Sequence, residues 1–338
     1  MNKRFFSAMI IPIAAVVSIC CGILSDHTEA SAATESVAEC VVEASSKRFL
    51  HTKNEECNLP MASTTKVLTA IVILDDCDIT ESVTVPQQAE GTEGSSVYLR
   101  AGEVLTVEDL LYGLMLRSGN DCAVTLALHH SGSIEAFAQA MNEKAASVGA
   151  EHSRFVNPHG LPDKRHYTTA QDLSLIAEYA LQNDTFREIV SCKYYEPKNW
   201  KNKNKMLWNY QGAIGVKTGF TLSAGRCLVT AAERNGMRLV CVVLDSPQMY
   251  ERTAELLNRA FEQYTLTELC AEGQIYENNL TVKYSFSYPL KEEEKALVRT
   301  EIEAPFLPNV QEGEIAGQMR IFLENSLLFS QNLYMMKK

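Results

Sequence analysis

Between Val67 and Leu74 the chain reads Val-Leu-Thr-Ala-Ile-Val-Ile-Leu, apolar right round a helix and not along one stripe. A helix of that kind is buried on every side, so the rest of the domain must be layered about it. Pro60 ends the preceding loop, and the helix is expected from about Ser63 to Leu74. It carries one cation near its start, Lys66. An unpaired buried ammonium is costly, so a lysine in that position asks for a reason. Ser63 lies three residues earlier, on the same helical face and at the positive end of the helix. A lysine desolvated there, close to other cations, holds its proton weakly and can take the serine's near neutral pH. The alternative is a capping serine beside a solvated lysine, which suits so apolar a helix poorly.

The 338 residues are 46% apolar, which allows one large domain with a small one, or two ordinary domains. A net charge of −11, from 31 basic and 42 acidic residues, argues against nucleic acid or an anionic lipid surface as the main partner. At the N-terminus Lys3 and Arg4 precede an uncharged run from Phe5 to Leu24, and Ala30-Ser31-Ala32 follows. That order predicts an export signal over 1–32, cleaved after Ala32 or Ala33. A run of this length could instead stay as an uncleaved membrane anchor. Eight of the ten cysteines follow the signal. Cys227 and Cys241 flank a hairpin closed at Asn235-Gly236, whose two-residue loop pairs Thr230 with Cys241. Counting by twos then puts Cys227 and Cys241 on opposite faces, so they should not bond. Most of the others read as small buried hydrophobes, with Cys40 and Cys57 the least implausible pair.

Further along, Cys40–Glu43 and Arg48–His51 look like a hairpin. Helices are expected over Val107–Leu116, Asn120–His130 and Ile134–Val148, and another follows a cap at Thr168 or Thr169 with Asp172 near its third position. From Ala213 the pattern changes to strands, and Glu251–Tyr264 is a last helix. Beyond Leu266 the chain reads as a separate β module, with strand-like Leu280–Tyr284 and Gly317–Phe322. The expected divisions are therefore 1–32, 33–266 and 267–338.

Two more short motifs join Ser63-Thr64-Thr65-Lys66. Ser118-Gly119-Asn120 falls between two helices, where a hydroxyl can project into a cleft and pass on a proton while Asn120 orients the lysine or a substrate amide. By itself it could be a plain interhelical turn. Lys217-Thr218-Gly219 is expected at the end of a strand, where ammonium and hydroxyl can hold a carboxylate and a glycine lets a substrate backbone come close.

With Glu93-Gly94-Ser95-Ser96, Asn157-Pro158-His159-Gly160-Leu161 and Val216–Thr221 added, the set resembles the low-molecular-mass penicillin-binding proteins, and more narrowly the serine-type D-alanyl-D-alanine carboxypeptidases. The resemblance runs from about residue 37 to the C-terminus. It implies an α/β (α+β) fold: a β-lactamase/transpeptidase-like domain with an antiparallel sheet flanked by helices, plus a small C-terminal β module. It implies Ser63 as the acylated nucleophile, Lys66 as base, and Ser118 and Asn120 as relay and orienting amide. Lys217, Thr218 and Thr221 would face the substrate, Arg252 would grip its terminal carboxylate, and backbone N–H groups of Ser63 and Phe220 would form the oxyanion hole. The implied partners are peptidoglycan stem peptides and, as inhibitors, β-lactams; no cofactor, metal or nucleic acid is implied. Members of the family often end in an amphipathic membrane helix, which the sequence after the β module does not show. His159 receives no catalytic role.

A class A β-lactamase would need an aspartate where Gly119 stands and a glutamate in the Asn157–Asp163 loop, and neither is present. The seven histidines form no HExxH-type set, and no G-x-S-x-G occurs. A D,D-endopeptidase acting on cross-links shares all of this chemistry. A wall-binding protein on an inactive version of the fold is the non-enzymatic alternative.

Overall fold

The computed structural model describes residues 36–305 and 310–336, so the signal expected over 1–32 and its cleavage at Ala32 or Ala33 lie outside the described residues. Its centre is a five-stranded antiparallel sheet of β1 (Ala38–Glu43), β2 (Phe49–Lys53), β3 (Ala213–Thr221), β4 (Gly225–Arg234) and β5 (Met237–Leu244), in the order β2-β1-β5-β4-β3. The architecture is the mixed α/β one expected, an antiparallel sheet with helices on both faces. Strand alternation divides two cores. Val42, Cys227, Val229, Val240 and Val242 face one layer, while Val41, Leu228, Leu239, Cys241 and Val243 face the other.

The first layer contains α1 (Lys66–Asp76), α2 (Val107–Tyr112), α3 (Asn120–Ser131), α4 (Ile134–Ser147), α5 (Ala170–Ala180) and α6 (Asp184–Ser191). Helix α1 packs against α3, α4, α5 and α6, and Val67, Leu68, Ile71, Val72 and Ile73 are all buried. Burial of each such side chain contributes about 1.5–3 kcal/mol, so α1 is anchored firmly enough to carry a buried charge at its start. The second layer is α7 (Met249–Gln263), whose Met249, Leu256, Leu257 and Ala260 cover the opposite face of the sheet. Thr169 caps α5 by accepting from the Asp172 N–H, as the sequence indicates.

The β4–β5 hairpin has the expected register, Arg234 opposite Met237 and Thr230 opposite Cys241, with Asn235 and Gly236 both at positive φ. Cys227 and Cys241 fall in different cores, and the eight described cysteines are all free. The Cys40–Cys57 pairing is therefore corrected: Cys40 is buried with its thiol 3.5 Å from Ser174 Oγ, and Cys57 is exposed.

Past α7 come β6 (Thr265–Cys270), β7 (Phe286–Leu290), β8 (Val298–Glu303), β9 (Ile315–Leu323) and β10 (Ser326–Met335). The last three, joined by the short strands Ile275–Tyr276 and Leu280–Thr281, form a five-stranded antiparallel sheet over a small core of Cys270, Leu280, Val282, Ala316, Met319, Ile321 and Leu333. The strand expected over Leu280–Tyr284 is paired only at Leu280–Thr281. Arg48, at the entry to β2, bonds both carboxylate oxygens of Glu294 and the Pro289 carbonyl, with its guanidinium over the rings of Tyr264 and Tyr288.

Candidate active site

Ser63 lies in a single 3-10 turn, Ala62–Thr65, which runs straight into α1. Residues three apart are eclipsed in such a turn, so Ser63 and Lys66 stand one above the other. The two threonines between them hold the turn: Thr64 Oγ1 donates to the Met61 carbonyl at 2.7 Å and Thr65 Oγ1 to the Ala62 carbonyl at 2.8 Å. Ala62 itself is at φ +50°. The loop 157–161 presses on this turn so closely that a Cβ on Gly160 would overlap the Ala62 carbonyl oxygen. On the other side a Cβ on Gly219 would meet the Met61 oxygen at 2.9 Å and the Ser63 nitrogen at 3.1 Å. Gly219 is thus required by the packing of β3 against the Ser63 turn, a reason closer to the protein than the substrate approach expected from sequence. Likewise Lys217-Thr218-Gly219 does not end its strand: pairing with β4 continues to Thr221.

Lys66 is fully buried, with Nζ 3.0 Å from Ser63 Oγ, 2.6 Å from Asn120 Oδ1 and 2.8 Å from the His159 carbonyl oxygen. Burial, then the field of Lys217, pushes its pKa well below the ordinary 10.5. A neutral amine has two N–H donors and one lone pair. Asn120 Oδ1 and the His159 carbonyl can only accept, so they take the two donors and leave the lone pair for the Ser63 hydroxyl. Asn120 cannot turn over without loss, because its Nδ2 donates to the Glu93 carbonyl at 2.6 Å. Asn157 shapes the other partner: its Oδ1 accepts from Gly160 N at 2.7 Å and its Nδ2 donates to the Leu161 carbonyl, which delivers the His159 carbonyl to the lysine.

Ser118 follows a wider π turn at Gly113–Arg117 and adopts φ +64°. Its hydroxyl has no hydrogen-bond partner among the described residues, which leaves it open to a ligand. Lys217 is buried in β3 with its ammonium 2.9 Å from the Thr218 carbonyl, and burial followed by the field of Lys203 lowers its pKa to about 7. Phe220 is exposed, and Thr221 Oγ1 accepts from Ala224 N in the β3–β4 turn.

Arg252 is not brought to this cleft, and the expectation for it is corrected. It projects from α7 on the far side of the sheet, where its guanidinium bonds both oxygens of buried Glu39 at 2.7 and 2.8 Å and also reaches Glu255. Three supports escaped sequence reasoning. Asp121 accepts from Ser96 Oγ and from Leu99 N, pinning the loop that holds Asn120. His166 Nδ1 accepts from Val156 N, so its Nε2–H faces Thr65 Oγ1 at 2.8 Å; burial lowers its pKa to about 4. Lys203 adds to the positive field at Lys217. Only the acidic residue after Ser-Gly-Asn carried a local signal, its place at the first turn of a buried helix.

A serine 3.0 Å from a desolvated lysine, with a second buried lysine on the neighbouring strand, is the arrangement of the serine–lysine acyl-transfer enzymes, which include penicillin-binding proteins and β-lactamases. Residues 25–248 match the D-alanyl-D-alanine carboxypeptidase family of peptidases, and the chain belongs to that family. It is 32% identical over 257 residues to the D-alanyl-D-alanine carboxypeptidase DacF of Bacillus subtilis, an alignment spanning 72% of this chain and 66% of the relative. It is 35% identical over 230 residues to a D-alanyl-D-alanine carboxypeptidase of a Streptomyces species, covering 61% of this chain and 79% of the relative. Among solved structures, penicillin binding protein 5 of Haemophilus influenzae superposes with a TM-score of 0.74 at 25% identity, over 90% of this chain and 97% of that one.

Proposed function

We propose that this chain is an exported serine D,D-carboxypeptidase that removes the terminal D-alanine from peptidoglycan stem pentapeptides. The observation that carries the reading is the three-partner setting of Lys66, in which two fixed acceptors leave only Ser63 for its lone pair. Ser63 Oγ attacks the carbonyl between the two terminal D-alanines and gives its proton to Lys66. Backbone N–H groups of Ser63 and Phe220 receive the oxyanion, a contribution of about 3–4 kcal/mol in comparable sites. The proton then passes by way of the Ser118 hydroxyl to the departing D-alanine nitrogen. Water, activated by the same lysine, hydrolyses the ester on Ser63. Lys217 and the Thr218 hydroxyl hold the terminal carboxylate, with Thr221 bordering the same place. Export puts the enzyme on the wall side of the membrane. β-Lactams would acylate Ser63 by the same attack and be released slowly.

Fluorescent penicillin should label the wild type and not Ser63→Ala, and the wild type should shorten a pentapeptide by one D-alanine. A protein that neither labels nor releases D-alanine would sink the assignment. Product analysis on a cross-linked muropeptide separates carboxypeptidase from endopeptidase action.

A further inference from the structure

The sheet of the C-terminal module ends at β8, and the outer edge of that strand is unpaired. Residues 298–303 pair with β9 in one unbroken register, from Val298 opposite Leu323 to Glu303 opposite Gln318. At the start of the strand the Leu297 carbonyl accepts from Glu324 N at 3.1 Å. At its end a Cβ on Gly317 would meet the Glu303 carbonyl oxygen at 2.5 Å. Leu297 and Glu303 thus turn their carbonyls into the sheet. Backbone groups alternate along an antiparallel strand, so the N–H and C=O of Thr300 and Ile302 point out of it. The Val298 carbonyl points out too, while its N–H closes the preceding turn on the Lys295 carbonyl. No proline, lysine or bulge interrupts the run, and those are the usual means of blunting an edge.

The side chains of β8 are complementary to themselves. Val298, Thr300 and Ile302 fall on the core face, where Val298 packs on the module's core but Ile302 is 42% exposed. Arg299 and Glu301 fall on the other face and are ion-paired within the chain. Consider the strand laid antiparallel against a copy of itself with Thr300 on the two-fold axis. Each Ile302 then lies beside Val298 of the second copy, and each Arg299 faces Glu301 of the second copy. Outward groups meet outward groups: the two Thr300 residues exchange N–H···O bonds, and each Ile302 N–H reaches a Val298 carbonyl. Sliding by two residues is the smallest step that keeps those groups facing. It sets Arg299 against Arg299 in one direction and Glu301 against Glu301 in the other, and like charges directly opposite repel. One register is therefore selected.

We infer that β8 is a docking edge for a second copy of this chain, giving a two-fold dimer whose sheet runs on from one C-terminal module into the other about Thr300. The exposed Ile302 is covered in that dimer and the charges of the opposite face alternate in sign across the junction. An interface confined to one strand on each side is small, so the dimer is a weak one that depends on concentration. The inference is independent of the peptidase reading, since no residue of the Ser63 site lies on this strand.

Sedimentation equilibrium of the full chain tests it. The wild type should pass from monomer to dimer between about 10 µM and 1 mM, the weak end expected of so small an interface. Thr300→Pro removes an N–H that faces outward, which an edge strand tolerates, and should leave a folded monomer. The charge variants test the same edge without touching the backbone. Arg299→Glu and Glu301→Arg should each weaken the homodimer about tenfold or more, because like charges then stand opposite. Mixed in equal amounts, the two variants should pair with one another, since each meets unlike charges at both positions. Penicillin labelling should be the same in the wild type and all three variants. A wild type that stays monomeric at about 1 mM, a dimer that survives Thr300→Pro, or charge variants that stay apart when mixed would each overturn the inference.

Discussion

Two clusters of buried charge lie on opposite faces of the same sheet, and they are wired in opposite ways. On the α7 face Glu39 is fully buried, and both of its oxygens are taken by Arg252, with His51 Nε2 2.8 Å from one of them. Burial alone would raise its pKa, but the bonds from His51 and Arg252 outweigh it and hold the group at about 2. On the α1 face Lys66 and Lys217 are just as buried, yet their hydrogen bonds go to neutral oxygens. There burial is not offset, and both lysines are pushed down. A satisfied charge is held in one protonation state over a wide pH range and serves as a fastener. An unsatisfied one sits near its own titration and can move a proton.

The largest break in this comparison is Lys66→Ala. With the base gone, acylation should fall by about a thousandfold or more, while the protein stays folded because a neutral side chain replaces a desolvated charge. Stopped-flow penicillin acylation beside a thermal melt checks both halves; a variant that keeps near-normal acylation refutes the role.

Next in size is Arg252→Met, on the other face. It leaves Glu39 buried without its main partner and should cost about 3 kcal/mol of stability, read by denaturant titration. It should not change KM for the peptide, and a large KM effect would restore Arg252 to the substrate. The pH dependence has a definite sign. The carboxyl of Glu39 is lowered from 4.5 to about 2, so its contribution is complete above pH 4.5 and is lost as pH falls through about 2. The variant should lack that acid dependence.

Asn120→Asp comes third. It would set a carboxylate where the amide oxygen stands 2.6 Å from Lys66 Nζ, converting the unpaired cluster into a paired one. The lysine would then hold its proton, and acylation at neutral pH should fall about a hundredfold, recovering towards higher pH. An unshifted pH profile would show that pairing does not govern the lysine.

The smallest effect belongs to His166. Replacement by alanine removes the bond to Thr65 and should cost about 1 kcal/mol and a few-fold in acylation, through loosening of the nucleophile's turn. Gln, with an acceptor and a donor at similar reach, should recover most of the acylation rate; equal loss in both variants would mean that only ring packing matters.

The unpaired cluster was far more legible in the sequence than the paired one, for physical reasons. Ser63 and Lys66 are three residues apart on one turn, and the surrounding apolar run already showed that the lysine had no route to water. The β4–β5 register followed from a two-residue Asn-Gly turn by counting. Arg252 and Glu39 are 213 positions apart, and nothing local in an exposed-looking Glu-Arg-Thr-Ala-Glu helix tells that its arginine reaches a strand at the far end of the chain. Separation along the chain also hid His166, which supports Thr65 from 101 residues away. Gly219 showed as a glycine, but its reason, the backbone of the Ser63 turn, exists only once β3 is packed.

The central claim is that Lys66 is a neutral base at physiological pH because it is buried beside Lys217 and given no anion. The pH profile of Ser63 acylation by a fluorescent penicillin tests it most directly. Acylation should rise with pH as Lys66 gives up its proton and fall again as Lys217, with a pKa of about 7, loses its own, a bell whose descending limb lies around neutral pH. A rate that keeps climbing towards pH 10.5, the value of an ordinary lysine, would contradict the account.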